Sequence, residues 1–147
     1  MTIRLMTIND YKMVYDLWMN TPGMGLNNID DSEAGIEKYL KRNPNSCFVA
    51  ETNNEIIGVI LSGHDGRRGL IYHLAVKATA REQGIGSSLL EHALNALRNE
   101  GITKVYIIVF KHNESGNLFW EKRGFVAPDE TLYRAKEIIP LEHMEIK

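Results

Sequence analysis

The chain has 147 residues and a net charge of −2, and 44% of its residues are hydrophobic, which is typical of one globular domain over residues 1–147. No basic run points to a nucleic-acid partner, and no apolar run is long enough to cross a membrane. The first ten residues lack the pattern of a signal peptide and the lone Cys47 excludes an internal disulfide, so the expected location is the cytoplasm.

The first half of the chain predicts one strand, two helices and a hairpin. An alternating strand is followed by a helix with apolar residues at helical spacing. Residues 21–29, TPGMGLNNI, are rich in Gly, Asn and Pro and predict a loop. Asp30 and Glu33 have the spacing of a capping box, which predicts a second helix that ends at Pro44. The hairpin has the strands CFVAET and IIGVILSG around a turn with two asparagines.

The second half predicts alternating strands and helices. After the loop GHDGRRG, the run LIYHLAV predicts a strand, and a third helix then ends at Gly101, a left-handed cap. KVYIIVF is almost entirely apolar and predicts a buried strand. A short helix from Asn113 to Arg123 and a final strand in IIPLEHMEIK complete the order β-α-α-β-β-β-α-β-α-β-β. This order predicts an α/β domain with a mixed sheet.

The stretch AREQGIGSSLL places Arg81, Gly84 and Gly86 at the start of the third predicted helix. A dinucleotide fingerprint is excluded, because Leu89 stands where its third Gly or Ala would be. A nucleotide-hydrolase phosphate loop is excluded, because no Gly-Lys-Ser/Thr follows. Two interpretations stay open. One is an anion site, in which unpaired amides at the helix start and Arg81 bind a phosphate; the other is a tight turn without a ligand.

Two motifs in register give the chain a resemblance to a known family. They are Leu74-Ala75-Val76 followed by Arg81-x-x-Gly84-x-Gly86, and Asn113 followed by Phe119-Trp120-x-x-x-Gly124-Phe125. On these motifs, the element order and the length, nearly the whole chain resembles the GNAT superfamily of N-acetyltransferases, which move an acetyl group from acetyl-CoA to an amine. The segment GHDGRRGLIYHLAV resembles a bacterial subgroup. The resemblance implies a single α/β (α+β) GNAT-type domain with four helices and a mixed, mostly antiparallel sheet whose fourth and fifth strands splay apart.

The resemblance also implies where acetyl-CoA binds. The backbone amides of Gln83–Ser88 would hold the pyrophosphate, and the edge of Leu74–Val76 would pair with the pantetheine arm. The amide of Ala75 or Val76 would face the thioester oxygen and stabilise the charge that develops there. Asn113 would bond the pantetheine from the other side. The residues expected to bind acetyl-CoA are Leu74, Ala75, Val76, Arg81, Gln83, Gly84, Ile85, Gly86, Ser87, Ser88, Asn113, Phe119 and Trp120.

The catalytic groups usual in the family are missing at the matching positions. The general acid, a tyrosine in relatives, is Trp120 here, and Leu70 and Ile108 occupy the positions of a general base. The candidate catalytic residues are therefore Tyr72 and His73 on the cleft strand, which strand alternation places on opposite faces. The alternative for His73 is a buried, hydrogen-bonded histidine. No pair of histidines has metal-ligand spacing, so we expect no metal.

These features predict an acetyl-CoA-dependent N-acetyltransferase, in which a primary amine of a small molecule or protein attacks the thioester directly. The alternative is a non-catalytic acyl-CoA-binding module of the same fold that regulates a partner. Asp30 and Asp31 end the loop that shapes the acceptor side in relatives, and they could attract a cationic amine or cap a helix. The expected partner is the amine acceptor, with no nucleic acid and no membrane, and a homodimer is left open.

Overall fold

The computed structural model describes every residue from Met1 to Lys147 and contains seven strands and four α-helices. The strands are β1 (Thr2–Leu5), β2 (Gly25–Asn27), β3 (Phe48–Thr52), β4 (Glu55–His64), β5 (Gly69–Val76), β6 (Val105–Ile107) and β7 (His143–Glu145). The helices are α1 (Tyr11–Met19), α2 (Glu33–Arg42), α3 (Ile85–Asn99) and α4 (Glu114–Lys122). None of these helices combines the length and the apolar character that crossing a membrane requires.

Five strands form the main sheet in the order β1-β3-β4-β5-β6. Neighbouring strands are antiparallel except for β5 and β6, which are parallel. The ladder between β5 and β6 stops at Ile71 and Ile107, so the rest of β5 has no strand on that side. The predicted fourth and fifth strands are β5 and β6, and they separate at this point as expected. The predicted α/β fold with a mixed, mostly antiparallel sheet is confirmed.

Helices cover both faces of the sheet, and this explains why its central strands are apolar on both sides. α1 and α2 pack on one face, around the fully buried Trp18 and Ile36. α3 and α4 pack on the other face, to which Leu89 and Trp120 contribute. Between them, Ile56–Gly63 of β4 are buried without interruption. Such a run is characteristic of a strand that is covered on both faces.

Three turns form where local residue types predict them. Gly101 and Gly124 follow α3 and α4 with φ angles of 78° and 87°, the left-handed conformation that ends a helix. The hairpin between β3 and β4 turns at Asn53 and Asn54, whose φ angles of 50° and 63° are also positive. Asparagine tolerates this conformation better than other residues with a side chain, so it suits a tight hairpin turn.

The start of α2 differs from the prediction. Its N-cap is Ser32, whose Oγ accepts a hydrogen bond from the Gly35 amide at 3.1 Å. The capping box predicted from Asp30 and Glu33 is therefore wrong, because the chain enters the helix two residues later than Asp30. The Asp30 side chain is turned back into the preceding loop, where it accepts a hydrogen bond from Asn27 Nδ2 at 3.0 Å.

The C-terminal part departs most from the prediction. KVYIIVF forms only the three-residue strand β6, which lies at the edge of the main sheet. The predicted burial is wrong, since Tyr106 is 46% exposed. Residues 126–142 contain no helix or strand. Of the predicted final strand only His143–Glu145 forms, and it pairs with β2, which lies inside the predicted loop of residues 21–29. This two-stranded ribbon is one wall of a cleft beside β5.

Candidate active site

A cleft of about 1030 Å³ opens beside the unpaired part of β5. Its other walls are the loop before α2, one face of α2, the end of β6 and part of α4. Of the predicted site residues, Tyr72, His73, Leu74, Asn113 and Trp120 line this cleft. The fold therefore brings both catalytic candidates together with the part of the predicted cofactor site that would hold the reactive end of the donor.

A β-bulge in β5 determines where Tyr72 and His73 point. In the ladder with β4, Ile71 pairs with Ser62 and His73 pairs with Leu61. Because Leu61 and Ser62 are consecutive, Tyr72 has no partner on β4. The extra residue interrupts the alternation of side chains between the two faces. Tyr72 contacts Tyr39 of α2 and His73 contacts Trp18 of α1, so both side chains lie on the face covered by these helices. The expectation of opposite faces is wrong, and the bulge is the reason.

A buried carboxylate holds His73. Its Nε2 lies 2.7 Å from Asp31 Oδ1, and both side chains are less than one-tenth exposed. The other oxygen of Asp31 accepts a hydrogen bond from the Asn27 amide at 2.8 Å. When Nε2 donates to Asp31, Nδ1 keeps its lone pair, and Nδ1 has no hydrogen-bond partner in the protein. The Asp31 contact therefore leaves His73, a residue that lines the cleft, with one nitrogen able to act as a base. His73 is also the buried, hydrogen-bonded histidine that the sequence left as the alternative.

Tyr72 is the more accessible of the two candidates, with 49% of its surface exposed. Its ring meets Tyr39 edge-on, with 5.5 Å between the ring centroids. Partial burial raises the pKa of the Tyr72 phenol, and the nearby Asp30 and Tyr133 raise it further. The phenol consequently stays protonated at neutral pH. Tyr72 can donate a hydrogen bond into the cleft, but it is not suited to accept a proton there.

The open edge of β5 presents the amide of Val76. The Lys77 amide donates to a carbonyl of β4 at 2.8 Å, and along an antiparallel ladder every second residue pairs in this way. Ala75 therefore bonds to β4, whereas Leu74 and Val76 point their backbone groups away from it. The Val76 carbonyl also points away from β4, because it accepts a hydrogen bond from Arg81 Nε at 3.2 Å. Of the two amides predicted to face the thioester, Val76 has the required direction.

Helix α3 begins with unpaired backbone amides. Gly84 is the N-cap with a φ of 77°, and no side chain caps the helix. The amides of Gln83–Ser87 donate to no acceptor in the protein, and the first helical bond runs from Ser88 N to Gly84 O at 3.0 Å. A methyl group on Gly84 would meet nothing within 4 Å, so the space there is open. These amides and the helix dipole suit an anion, although the Ser88 amide, included in the prediction, is used inside the helix.

Arg123 is a cation beside these amides that the sequence analysis did not identify. Its Nε donates to Ser87 Oγ at 3.1 Å, and its guanidinium lies 3.6 Å from the centroid of the Phe119 ring. Gly86 lies against the same ring, and a methyl group there would be in tight contact with it at 3.3 Å. Arg123 directly precedes Gly124 in the second motif, but its contact with α3 is tertiary and no residue spacing indicates it.

Asn113 and Trp120 form the α4 wall of the cleft. Asn113 caps α4, where its Oδ1 accepts a hydrogen bond from the Gly116 amide at 3.0 Å, and its Nδ2 has no acceptor in the protein. Trp120 is 8% exposed and packs edge-on between Phe119 and Phe125, with 5.0 Å between ring centroids in each case. Asn113 thus keeps a free donor, and Trp120 contributes mainly apolar surface.

The other residues with reactive side chains have structural contacts. Burial raises the pKa of the Cys47 thiol to about 12, so this group is a poor nucleophile at neutral pH. His64 pairs with Glu100 at 3.0 Å and His143 pairs with Glu137 at 2.8 Å, both at the surface. No three His, Cys, Asp or Glu side chains are grouped so that they could hold a metal ion.

Known proteins share this sequence pattern and fold. The model of the acetyltransferase (GNAT) family matches residues 11–125. An acetyltransferase of Pectobacterium atrosepticum is 32% identical over 129 residues, which are 88% of this chain and 90% of the relative. One from Sodalis glossinidius is 31% identical over 139 residues, 95% of this chain and 96% of the relative.

Solved structures agree at the level of the fold. Ard1 from Thermoplasma volcanium has a TM-score of 0.75 and 25% identity, covering 85% of this chain and 82% of that protein. The PaiA N-acetyltransferase from Thermoplasma acidophilum, solved in complex with coenzyme A, has a TM-score of 0.74 and 16% identity, covering 98% of both chains. The fold and the matches together define an enzyme of the acetyltransferase class. The chain belongs to the acetyltransferase (GNAT) family, whose model spans both sequence motifs.

Proposed function

We propose that the enzyme uses acetyl-CoA to acetylate a primary amine by direct attack of the amine on the thioester. The observation that carries this proposal is the combination of an open β5 edge with free amides at the nearby start of α3. A methyl group on Gly86 would lie within 3.7 Å of both Val76 and Phe119, so the two features adjoin. The coenzyme A bound in the PaiA complex supports a thioester of coenzyme A as the donor for this chain.

The chain's own residues would divide the binding of acetyl-CoA between them. The amides of Gln83–Ser87 would donate to the pyrophosphate, and Arg81 and Arg123 would add positive charge beside it. The Val76 amide would donate to the thioester oxygen, where it stabilises the negative charge that develops during attack. Asn113 Nδ2 would bond the pantetheine arm from the opposite wall. Acetyl-CoA supplies the activated acetyl group, and no covalent bond to the enzyme is needed.

His73 would take the proton from the attacking amine. The bond from Nε2 to Asp31 fixes the ring and leaves the Nδ1 lone pair free, which is the form of imidazole that accepts a proton. The protonated imidazole would then be stabilised by the adjacent carboxylate. Tyr72, whose phenol stays protonated, would hold the acceptor by a hydrogen bond and by its ring. The thiolate of CoA needs little assistance, because free thiols have pKa values of only about 8.5.

A direct test combines acetyl-CoA with a panel of primary amines and follows thiol release together with the mass of the amine product. The expected result is thiol release that depends on the amine, with one acetyl group on the product. Saturable acetyl-CoA binding without transfer to any amine would contradict the proposal. That outcome would favour the non-catalytic acyl-CoA-binding module.

A further inference from the structure

One face of α2 forms a long wall of the cleft, and it carries two cations. Gly35, Lys38, Tyr39 and Arg42 all line the cleft, at the three- and four-residue spacing of one helical face. Lys38 and Arg42 are exposed, and neither forms an ion pair with a carboxylate. Lys41 is also exposed on the same helix but does not line the cleft. The charge on this wall is therefore positive and unneutralised.

α2 runs along β5 in the opposite direction, so its two ends lie over different parts of the strand. Near the start of α2, Asp31 contacts His73. At its end, Asn43 Oδ1 accepts a hydrogen bond from the His64 amide at 2.9 Å, and His64 pairs with Gly69, the first residue of β5. The cleft consequently has a direction, from the proposed reaction centre to the beginning of β5.

Charge is distributed unevenly along this direction. Asp30 and Asp31 lie near His73, where an ammonium group would wait before losing its proton. Lys38 and Arg42 lie five and nine residues beyond Glu33, the first residue of α2, so they are roughly 7 and 14 Å along the helix axis. Tyr39, whose ring contacts that of Tyr72, lies between Lys38 and Arg42 along the helix. The cleft is therefore acidic beside His73 and basic along α2, where the two cations flank an aromatic ring.

We propose that the acceptor carries an anionic group on the order of 10 Å from its amine, and that Lys38 and Arg42 bind this group. The inference rests on the proposed function, because it assigns the amine to the end of the cleft beside His73. A carboxylate and a phosphate share the chemistry that two cations recognise. Cations near a helix C-terminus also stabilise the helix dipole, but Lys41 would do this equally well without facing the cleft.

The experiment compares three tripeptides with the same α-amine: one with a free C-terminal carboxylate, one with a C-terminal amide, and one amide that ends in phosphoserine. A tripeptide spans about 10 Å when extended. We expect kcat/KM for the free acid to exceed that for the amide by about fivefold to tenfold, because each exposed ion pair contributes up to about a factor of five. A larger ratio for the phosphoserine peptide would identify phosphate as the preferred anion.

The variant Lys38→Gln/Arg42→Gln should reduce this ratio to about one, whereas the matched control Lys41→Gln should retain it. Equal rates for acid and amide in the unaltered enzyme, or a preference that survives the double substitution, would overturn the proposal. So would a preference that Lys41→Gln removes to the same extent. The same titrations at raised salt should weaken the preference, since exposed charges are screened.

Equilibrium binding separates this inference from the proposed function. The three peptides are titrated into the enzyme saturated with CoA, where no transfer occurs. A preference for the anionic peptides that depends on Lys38 and Arg42, with no acetyl transfer to any amine, would refute the proposed function and support the anion site. Acetyl transfer without any anion preference would refute the anion site alone. Failure of all three peptides to bind would also overturn it.

Discussion

Replacing Asp31 with asparagine tests the proposed proton acceptor through the residue that orients it. The substituted amide can still accept the hydrogen bond from the Asn27 amide, but it would present an N–H to His73 Nε2. The imidazole would then carry its proton on Nδ1, so the Nδ1 lone pair proposed to accept the proton would be lost. Because general-base catalysis contributes about 10²–10⁴-fold, we expect kcat/KM to fall by about 100-fold, or about 2.7 kcal/mol of transition-state stabilisation.

The assay is steady-state thiol release with the best amine, together with calorimetric titration of acetyl-CoA. The dissociation constant for acetyl-CoA should stay unchanged, since Asp31 contacts none of the proposed donor-binding groups. A second buried carboxylate provides the control: Asp10 is bound to Arg4 at 2.9 Å and lies outside the cleft. Both Asp31→Asn and Asp10→Asn should lower the free energy of unfolding by about 1–3 kcal/mol. Equal activity in the two variants would refute the role of His73 as the base.

Further predictions concern the donor site, the cleft wall and acid stability. Gly84→Ala should weaken CoA binding, measured by calorimetry, whereas the control Gly101→Ala should not. The two glycines are matched, because both have a positive φ and open space around them, so each substitution should cost about 1 kcal/mol of stability. Arg123→Gln should weaken CoA binding several-fold and reduce its salt dependence. Trp120→Phe should keep most of the turnover, because the indole contributes packing; a collapse of kcat with unchanged CoA affinity would show a catalytic indole. Burial opposes ionisation of Asp10, but the bond to Arg4 lowers the pKa of this carboxyl overall. The contribution of Asp10 to folding stability should therefore be complete above about pH 4 and lost as the pH falls further. Asp10→Asn should abolish this loss in acid unfolding titrations.

The sequence predicts the fold well where local patterns and tertiary packing agree. Gly101 and Gly124 end helices in the left-handed conformation that glycine adopts without strain, so both helix ends could be read from the sequence. The two motifs place the start of α3 and the edge of β5, and the structure adds what each glycine does. Gly84 adopts a positive φ, whereas Gly86 leaves room for the ring of Phe119, which a methyl group would contact tightly.

The sequence fails where the outcome depends on contacts between distant segments. The β-bulge at Tyr72 arises from the pairing of β5 with β4, and no local residue type marks it. β2 and β7 are each three residues long and exist only because they pair with each other across most of the chain. The sequence favours helix capping or amine attraction for Asp31, whereas its carboxylate bonds to His73, which is 42 residues away. Arg123 was missed for the same reason.

The most direct test of amine acetylation by direct attack is a single-turnover measurement of acetyl transfer with acetyl-labelled acetyl-CoA and a primary amine. Direct attack predicts that the label appears on the amine at the same rate as the CoA thiol is released, without any labelled protein at intermediate times. It also predicts that the Asp31→Asn variant slows both signals equally. Label retained on the protein before it reaches the amine would contradict direct attack in the cleft, and thiol release without a labelled amine would contradict the assignment as an amine acetyltransferase.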